Sequence, residues 1–288
     1  MKKFSAAAVA LSVLCLLAGC AGGTSTGGGR STTGTGAGTM AGNPVSTRAS
    51  APVSDYKPVE PIVTGAARTR AKSHTDLGLA YLEAGNVAVA LEEGRQALRD
   101  DANYGLAYNL MGLAHMYLGE KPQARENFER ALRLSSNDPD INNNYGWFLC
   151  QNGEPARAMQ LFSEAIKNPL YSTPTRPYTN AGLCALQEND LQTAETNFLR
   201  AVNADPGNLQ AIFNLAALFY RKGNLYEARR YLSDFHAQRD PVAESLWLAV
   251  RIEHKLGEKV AEAGFAGQLR RRFAGTPEHQ LLMQGKYD

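Results

Sequence analysis

Cys150 lies in the run INNNYGWFLCQNG, residues 141–153, next to Trp147 and behind three asparagines. These are residue types from which a thiolate nucleophile or a redox pair could be built. A nucleophilic cysteine needs an activating base within hydrogen-bond reach. The five histidines, His74, His115, His236, His254 and His279, are instead scattered along the chain with no shared spacing. There is no CxxC, and no His/Cys set has the spacing of a zinc site. A hydrolase needs a triad, a metal or paired carboxylates in a pocket, and none is legible. The expectation is no catalytic residue, no metal, no cofactor and no small-molecule substrate, with Cys150 a small buried hydrophobe.

A second sulfur, Cys20, stands in a different setting. Lys2 and Lys3 open the chain, an apolar run fills residues 6–18, and Leu17-Ala18-Gly19-Cys20 closes it. A run of thirteen residues spans roughly 20 Å as a helix, short of the roughly 30 Å hydrocarbon layer, so it reads as an export signal and not as a membrane span. Its ending resembles the lipobox of bacterial lipoproteins. That resemblance implies cleavage of residues 1–19, lipidation of Cys20 and, with Ala21 and not aspartate next, a place on the periplasmic face of the outer membrane. Several acyl chains give stable anchoring where one gives only reversible binding.

Loss of residues 1–19 removes Lys2 and Lys3, leaving 28 basic against 28 acidic side chains. A formally neutral chain without a clustered basic surplus is a poor match for nucleic acid. Residues 20–70 hold the lipidated cysteine and a Gly/Ser/Thr/Ala/Pro stretch that cannot bury enough apolar surface to offset chain entropy. It reads as a tether with a root-mean-square reach of roughly 40 Å.

From residue 71 the chain repeats itself. Gly85, Gly119, Gly153, Asn189, Gly223 and Gly257, each followed by Asn, Glu or Asp, recur at intervals of 34, 34, 36, 34 and 34 residues. Gly and Asn tolerate the left-handed backbone that closes a helix, so each marks a turn between two helices. A 34-residue helix-turn-helix period is that of the tetratricopeptide repeat. Counted within each unit, position 8 is Gly78, Gly112, Gly146, Gly182 and Ala216, and position 20 is alanine in all five. Small residues are required where the two helices of a unit cross closely. Position 24 carries the filler, Phe128, Phe162, Phe198 and Leu232. The expected fold is an all-α, right-handed α-solenoid with units near 71–104, 105–138, 139–174, 175–208, 209–242 and a degenerate capping unit at 243–276, the domain running from 71 to 288. Two extra residues and three prolines in 168–177 read as a tolerated loop insertion.

In this frame Cys150 is position 12 of unit three and Cys184 position 10 of unit four. Helix axes 8 to 10 Å apart against a Cα separation of about 5.5 to 6 Å for a disulfide favour two buried thiols, with a bridge the alternative. Positions 9 and 12 make a stripe toward the concave side: Leu79 and Leu82, Leu113 and Met116, Trp147 and Cys150, Leu183 and Leu186, then Ala217 and Tyr220. Asn109 and Asn143, at position 5, lie beside it. Such a stripe is either core or a groove for an amphipathic helix or extended apolar segment. Gly94 replaces the filler of unit one, so a gap is expected between the first two units, filled by a partner or by Tyr104 or Tyr108.

The lipobox, the tether, six repeats, NNYGWFLCQNG at 143–153, the NPLY insertion and YEARRYLSDF at 226–235 together resemble the type IV pilus biogenesis lipoproteins of the PilF/PilW family. The resemblance implies an outer-membrane pilotin whose partner is the secretin subunit, the ring-forming channel protein, which it localises and helps multimerise. The repeat fold and anchor equally suit an adaptor for peptidoglycan enzymes or for outer-membrane protein assembly.

Overall fold

The computed structural model describes residues 65–168, 171 and 173–287. The signal segment, Cys20 and nearly all of the tether lie outside the described residues. Within them every regular element is an α-helix. Six antiparallel pairs follow one another: α1 (Ala66–Glu83) with α2 (Val87–Asp100), α3 (Gly105–Tyr117) with α4 (Lys121–Leu134), α5 (Pro139–Gln151) with α6 (Pro155–Lys167), α7 (Thr175–Gln187) with α8 (Leu191–Ala204), α9 (Leu209–Arg221) with α10 (Leu225–Gln238), and α11 (Ala243–Leu256) with α12 (Lys259–Arg272). A short α13 (Pro277–Met283), outside the 34-residue pattern, packs on α11 and α12. Each pair packs within itself and then on the next, the solenoid of a tetratricopeptide repeat protein. Among the described residues no helix is long and apolar enough to cross a membrane.

The turns form where the sequence marks them. Gly85, Gly119, Gly153, Asn189, Gly223 and Gly257 all have φ between 59° and 81°. Each closes its helix with the same two bonds, as where Gly85 N–H donates to Leu82 C=O at 3.0 Å and Asn86 N–H to Tyr81 C=O at 2.8 Å. These bonds satisfy carbonyls that the helix end leaves without partners.

The small residues at position 8 have a specific neighbour. A Cβ built on Gly112 would lie 2.8 Å from the ring of Phe128, on Gly146 2.8 Å from Phe162, and on Gly182 2.6 Å from Phe198. The glycine of one helix and the aromatic filler of the other are therefore one packing device, and all three rings are buried. Unit one solves the problem differently. The space at Gly94 is not a gap: a Cβ there would meet Met111 Sδ at 2.6 Å, and one on Gly78 would meet Leu110 Cδ2 at 2.4 Å. Met111 and Leu110 of α3, and neither Tyr104 nor Tyr108 nor a partner, fill the place of the missing ring. The expectation of an open gap is corrected accordingly.

Ties between units reinforce the stack. Arg229 of α10 grips Glu253 of α11 through both carboxylate oxygens, with Nε donating to Oε1 at 2.9 Å. Glu253 is 4% exposed, so this bidentate pair holds the last unit onto the fifth. The insertion folds back on its own unit: Tyr171 is buried and its hydroxyl donates to Asp140 Oδ1 at 2.7 Å near the start of α5, where Arg176 also reaches Asp140 at 3.4 Å. Burial and the adjacent Asp140 charge push the Tyr171 phenol pKa up, so it stays a hydrogen-bond donor.

Candidate functional site

The first helices of the units carry the apolar stripe. Leu79 and Leu82 on α1, Leu113 and Met116 on α3, Trp147 on α5, and Leu183 and Leu186 on α7 are all half-buried. Their inner parts rest on the core while their outer parts face solvent. Leu113, Met116 and Trp147 pack on the cluster that contains Phe148, Cys150 and Cys184. Leu82 packs with Met111 and Leu91, and Leu183 and Leu186 with Leu215 and its neighbours. The stripe therefore continues from unit to unit, as a surface for an apolar segment requires.

Three expected site residues are placed elsewhere than the sequence suggested. Gly94 is buried under Met111 and offers nothing to a ligand. Asn109 and Asn143 are also buried, and they bond to other asparagines across the units. Asn144 Nδ2 donates to Asn109 Oδ1 at 3.3 Å, Asn143 Nδ2 to Asn144 Oδ1 at 3.1 Å, and Asn180 Nδ2 to Asn143 Oδ1 at 2.9 Å. The ladder joins α3, α5 and α7. Buried amides cost free energy unless bonded, so the ladder favours one relative placement of these helices.

Cys150 and Cys184 are joined by a disulfide, with Cα atoms 5.9 Å apart and a sequence separation of 34. The expectation of two free thiols is thus overturned. The spacing argument compared helix axes, but a Cα atom stands about 2.3 Å off its axis. Two facing Cα atoms therefore approach several ångströms closer than the axes do. The bridge links α5 to α7 across the insertion and within the stripe, beside Trp147. A sulfur held in a disulfide is not a thiolate nucleophile.

The histidines are spent on local pairs: His74 Nδ1 with Glu93 at 2.6 Å, His115 Nδ1 with Glu120 at 2.6 Å, His254 Nδ1 with Glu262 at 2.9 Å, and His236 Nε2 with Ser245 Oγ at 2.9 Å. Among the described residues no three His, Cys, Asp or Glu side chains gather as metal ligands. Sequence reasoning missed the continuation of the concave stripe into the sixth unit. There positions 5, 9 and 12 are Trp247, Arg251 and His254. The same count that found the stripe in units one to five could have found them.

Comparison with known proteins agrees with this architecture. The tetratricopeptide repeat family model matches residues 109–172 and 179–244. The type IV pilus assembly protein PilF of Pseudomonas aeruginosa is 28% identical over 227 residues, covering 78% of this chain and 90% of that protein. The crystal structure of PilW, described as a widely conserved type IV pilus biogenesis factor, superposes with a TM-score of 0.69 at 29% identity over 74% of this chain and 98% of that one. The solved Pseudomonas aeruginosa PilF superposes with a TM-score of 0.70 at 26% identity, over 77% of this chain and all of that one. The helical array thus superposes on nearly the whole of two solved chains. The chain is a PilF-like tetratricopeptide repeat protein of the PilF/PilW family of type IV pilus biogenesis proteins.

Proposed function

We propose that the protein is an outer-membrane lipoprotein pilotin, which binds the secretin subunit of the type IV pilus system and promotes its localisation and multimerisation in the outer membrane. The observation that carries this reading is the continuous half-buried stripe from Leu79 to Leu186 on a scaffold of the pilus biogenesis family. The stripe takes an apolar segment of the secretin subunit and shields it from water. The lipid on Cys20 holds the scaffold at the periplasmic face of the membrane, and the tether of residues 21–70 lets it sample the space beyond. Confining subunits to a surface raises their effective concentration without any new contact. The role is physical and not chemical, which fits the scaffold character of the family.

The test is made in a deletion strain, whose outer membranes are assayed for secretin multimers resistant to denaturing gels. Complementation by the wild type restores multimers, Cys20→Ala leaves them misplaced, and the pair Leu113→Glu with Met116→Glu leaves them unformed although the protein accumulates normally. Normal multimers in the deletion strain, with a defect in peptidoglycan turnover or another outer-membrane assembly, would replace the pilotin reading by an adaptor role.

A further inference from the structure

The concave stripe changes character in its last two units. Tyr220 ends it in unit five, and Trp247, Arg251 and His254 continue it along α11. The Arg251 guanidinium stands 4.8 Å from the Tyr220 ring centre and 5.7 Å from that of Trp247. Lys255 adds a second cation 4.5 Å from Tyr220. Both aromatic side chains are buried. Among the described residues Arg251 has no carboxylate within ion-pair range, and its buried Nε has no hydrogen-bond partner. Desolvation presses its pKa down, the mark of a cation withdrawn from water without a counter-charge. Arg229, by contrast, is answered by the carboxylate of Glu253. A desolvated guanidinium between aromatic walls is the arrangement that binds a planar carboxylate with charge-assisted bonds.

The same place already holds a peptide, one supplied by the chain itself. After α13, Gly285 at φ 64° and the Lys286 N–H to Leu281 C=O bond at 3.1 Å turn the backbone back. Tyr287 then stacks on His254, with ring centres 4.0 Å apart and planes 3° apart, and packs against Trp247 at 5.7 Å. The Tyr220 hydroxyl donates to the Tyr287 carbonyl at 3.4 Å. Tyr287 thus uses the aromatic wall and, through its backbone carbonyl, the Tyr220 hydroxyl, while Arg251 pairs with no acid among the described residues.

We propose that Tyr220, Trp247, Arg251 and His254 form a second peptide site, which takes an extended segment of a partner protein bearing an aromatic side chain next to a carboxylate, and that Tyr287 occupies its aromatic half until such a segment displaces it. The site lies in units five and six, whereas the pilotin reading rests on units one to four. It also reads charge, which the apolar stripe does not. Failure of either therefore leaves the other standing.

The probes are fluorescein-labelled Gly-Ser-Gly-Tyr-Glu and Gly-Ser-Gly-Tyr-Gln, both amidated, titrated against the full chain by fluorescence anisotropy. Tyr287→Ala is expected to bind the Glu peptide about tenfold or more tighter than the unaltered chain does, and about tenfold tighter than it binds the Gln peptide. Adding Arg251→Gln is expected to erase the preference for Glu over Gln while leaving the melting temperature in place. Should Tyr287→Ala melt early, Tyr287→Leu removes the ring stacked on His254 and keeps an apolar side chain at the position. Equal binding of the two peptides, or a preference that survives Arg251→Gln, overturns the site. Equal binding to the unaltered chain and the Tyr287 variants overturns the occlusion. Dimers that vanish with Tyr287→Ala would assign the surface to a second copy of this chain and overturn the partner.

Discussion

The Cys150–Cys184 bridge closes a loop whose ends are 34 residues apart, with Cα atoms 5.9 Å from each other. In the chain-entropy account, closing a loop of that length removes about 4 kcal/mol of freedom from the unfolded state. In a repeat array the bridge acts only on openings that separate α5 from α7, so its effect falls on the central units and not on the ends. The perturbation is the double variant Cys150→Ala and Cys184→Ala, in a chain lacking residues 1–20 so that no other sulfhydryl remains. Urea unfolding, followed by far-ultraviolet circular dichroism, is the assay. With a slope of about 2 kcal/mol per molar, the midpoint of the central transition is expected to fall by roughly 2 M. Reductant added to the same shortened chain with Cys150 and Cys184 in place should reproduce that fall, and a thiol reagent without reductant should find no reactive sulfur in that chain when denatured. A midpoint that moves less than about 0.5 M would refute the reasoning. It would mean that the unfolded chain without the bridge already keeps the α5 and α7 segments near each other.

Two further outcomes test the packing. Gly94→Phe is expected to destabilise unit one by about 1–3 kcal/mol or more, because the new side chain must displace Met111 from a buried place; an unchanged thermal melt would show that the unit had room. Burial beside Phe235 and Phe265 holds the His236 pKa below the ordinary imidazole value. The folded state therefore favours the neutral ring. Its contribution is present above the unfolded value near about 6.5 and is lost as pH falls through the lower folded value. Thermal melts across that window should show His236→Gln with a flatter decline than the wild type, and parallel declines would contradict the assignment.

The fold was legible wherever one residue at a fixed interval carried the information. Gly85 and its successors gave the turns, and Gly112 with Phe128 gave the crossing of a pair, because a left-handed φ and a sub-van-der-Waals approach each leave few residues to choose from. What depends on distance between units was not legible. Whether Cys150 reaches Cys184 follows from the curvature of the stack, and two extra residues in the insertion hide that the pair is one period apart. Met111 fills the place opposite Gly94 from position 7 of the next unit, where the repeat pattern asks for a large apolar residue but not for one that reaches into the preceding unit. Arg251 was overlooked for a different reason. Its unit departs from the consensus at position 20, where Glu262 stands in place of alanine, and a unit read as a cap was not searched for ligands.

Leu110 and Met111 give the first unit a debt to the second. In units two to four the aromatic at position 24 is carried by the unit it serves, so one unit can keep its interior when a neighbour opens. Here the interior of α1 and α2 belongs to α3. Linear arrays lose order from the ends inward, each unit held by its own stability and by one interface. For this pair the two quantities merge, because opening the second unit empties the first. The amides of α2 therefore cannot outlast those of α3 in hydrogen exchange. The N-terminal edge of the stripe, with Leu79 and Leu82 on one unit and Leu113 and Met116 on the other, is present or absent as a single cooperative block.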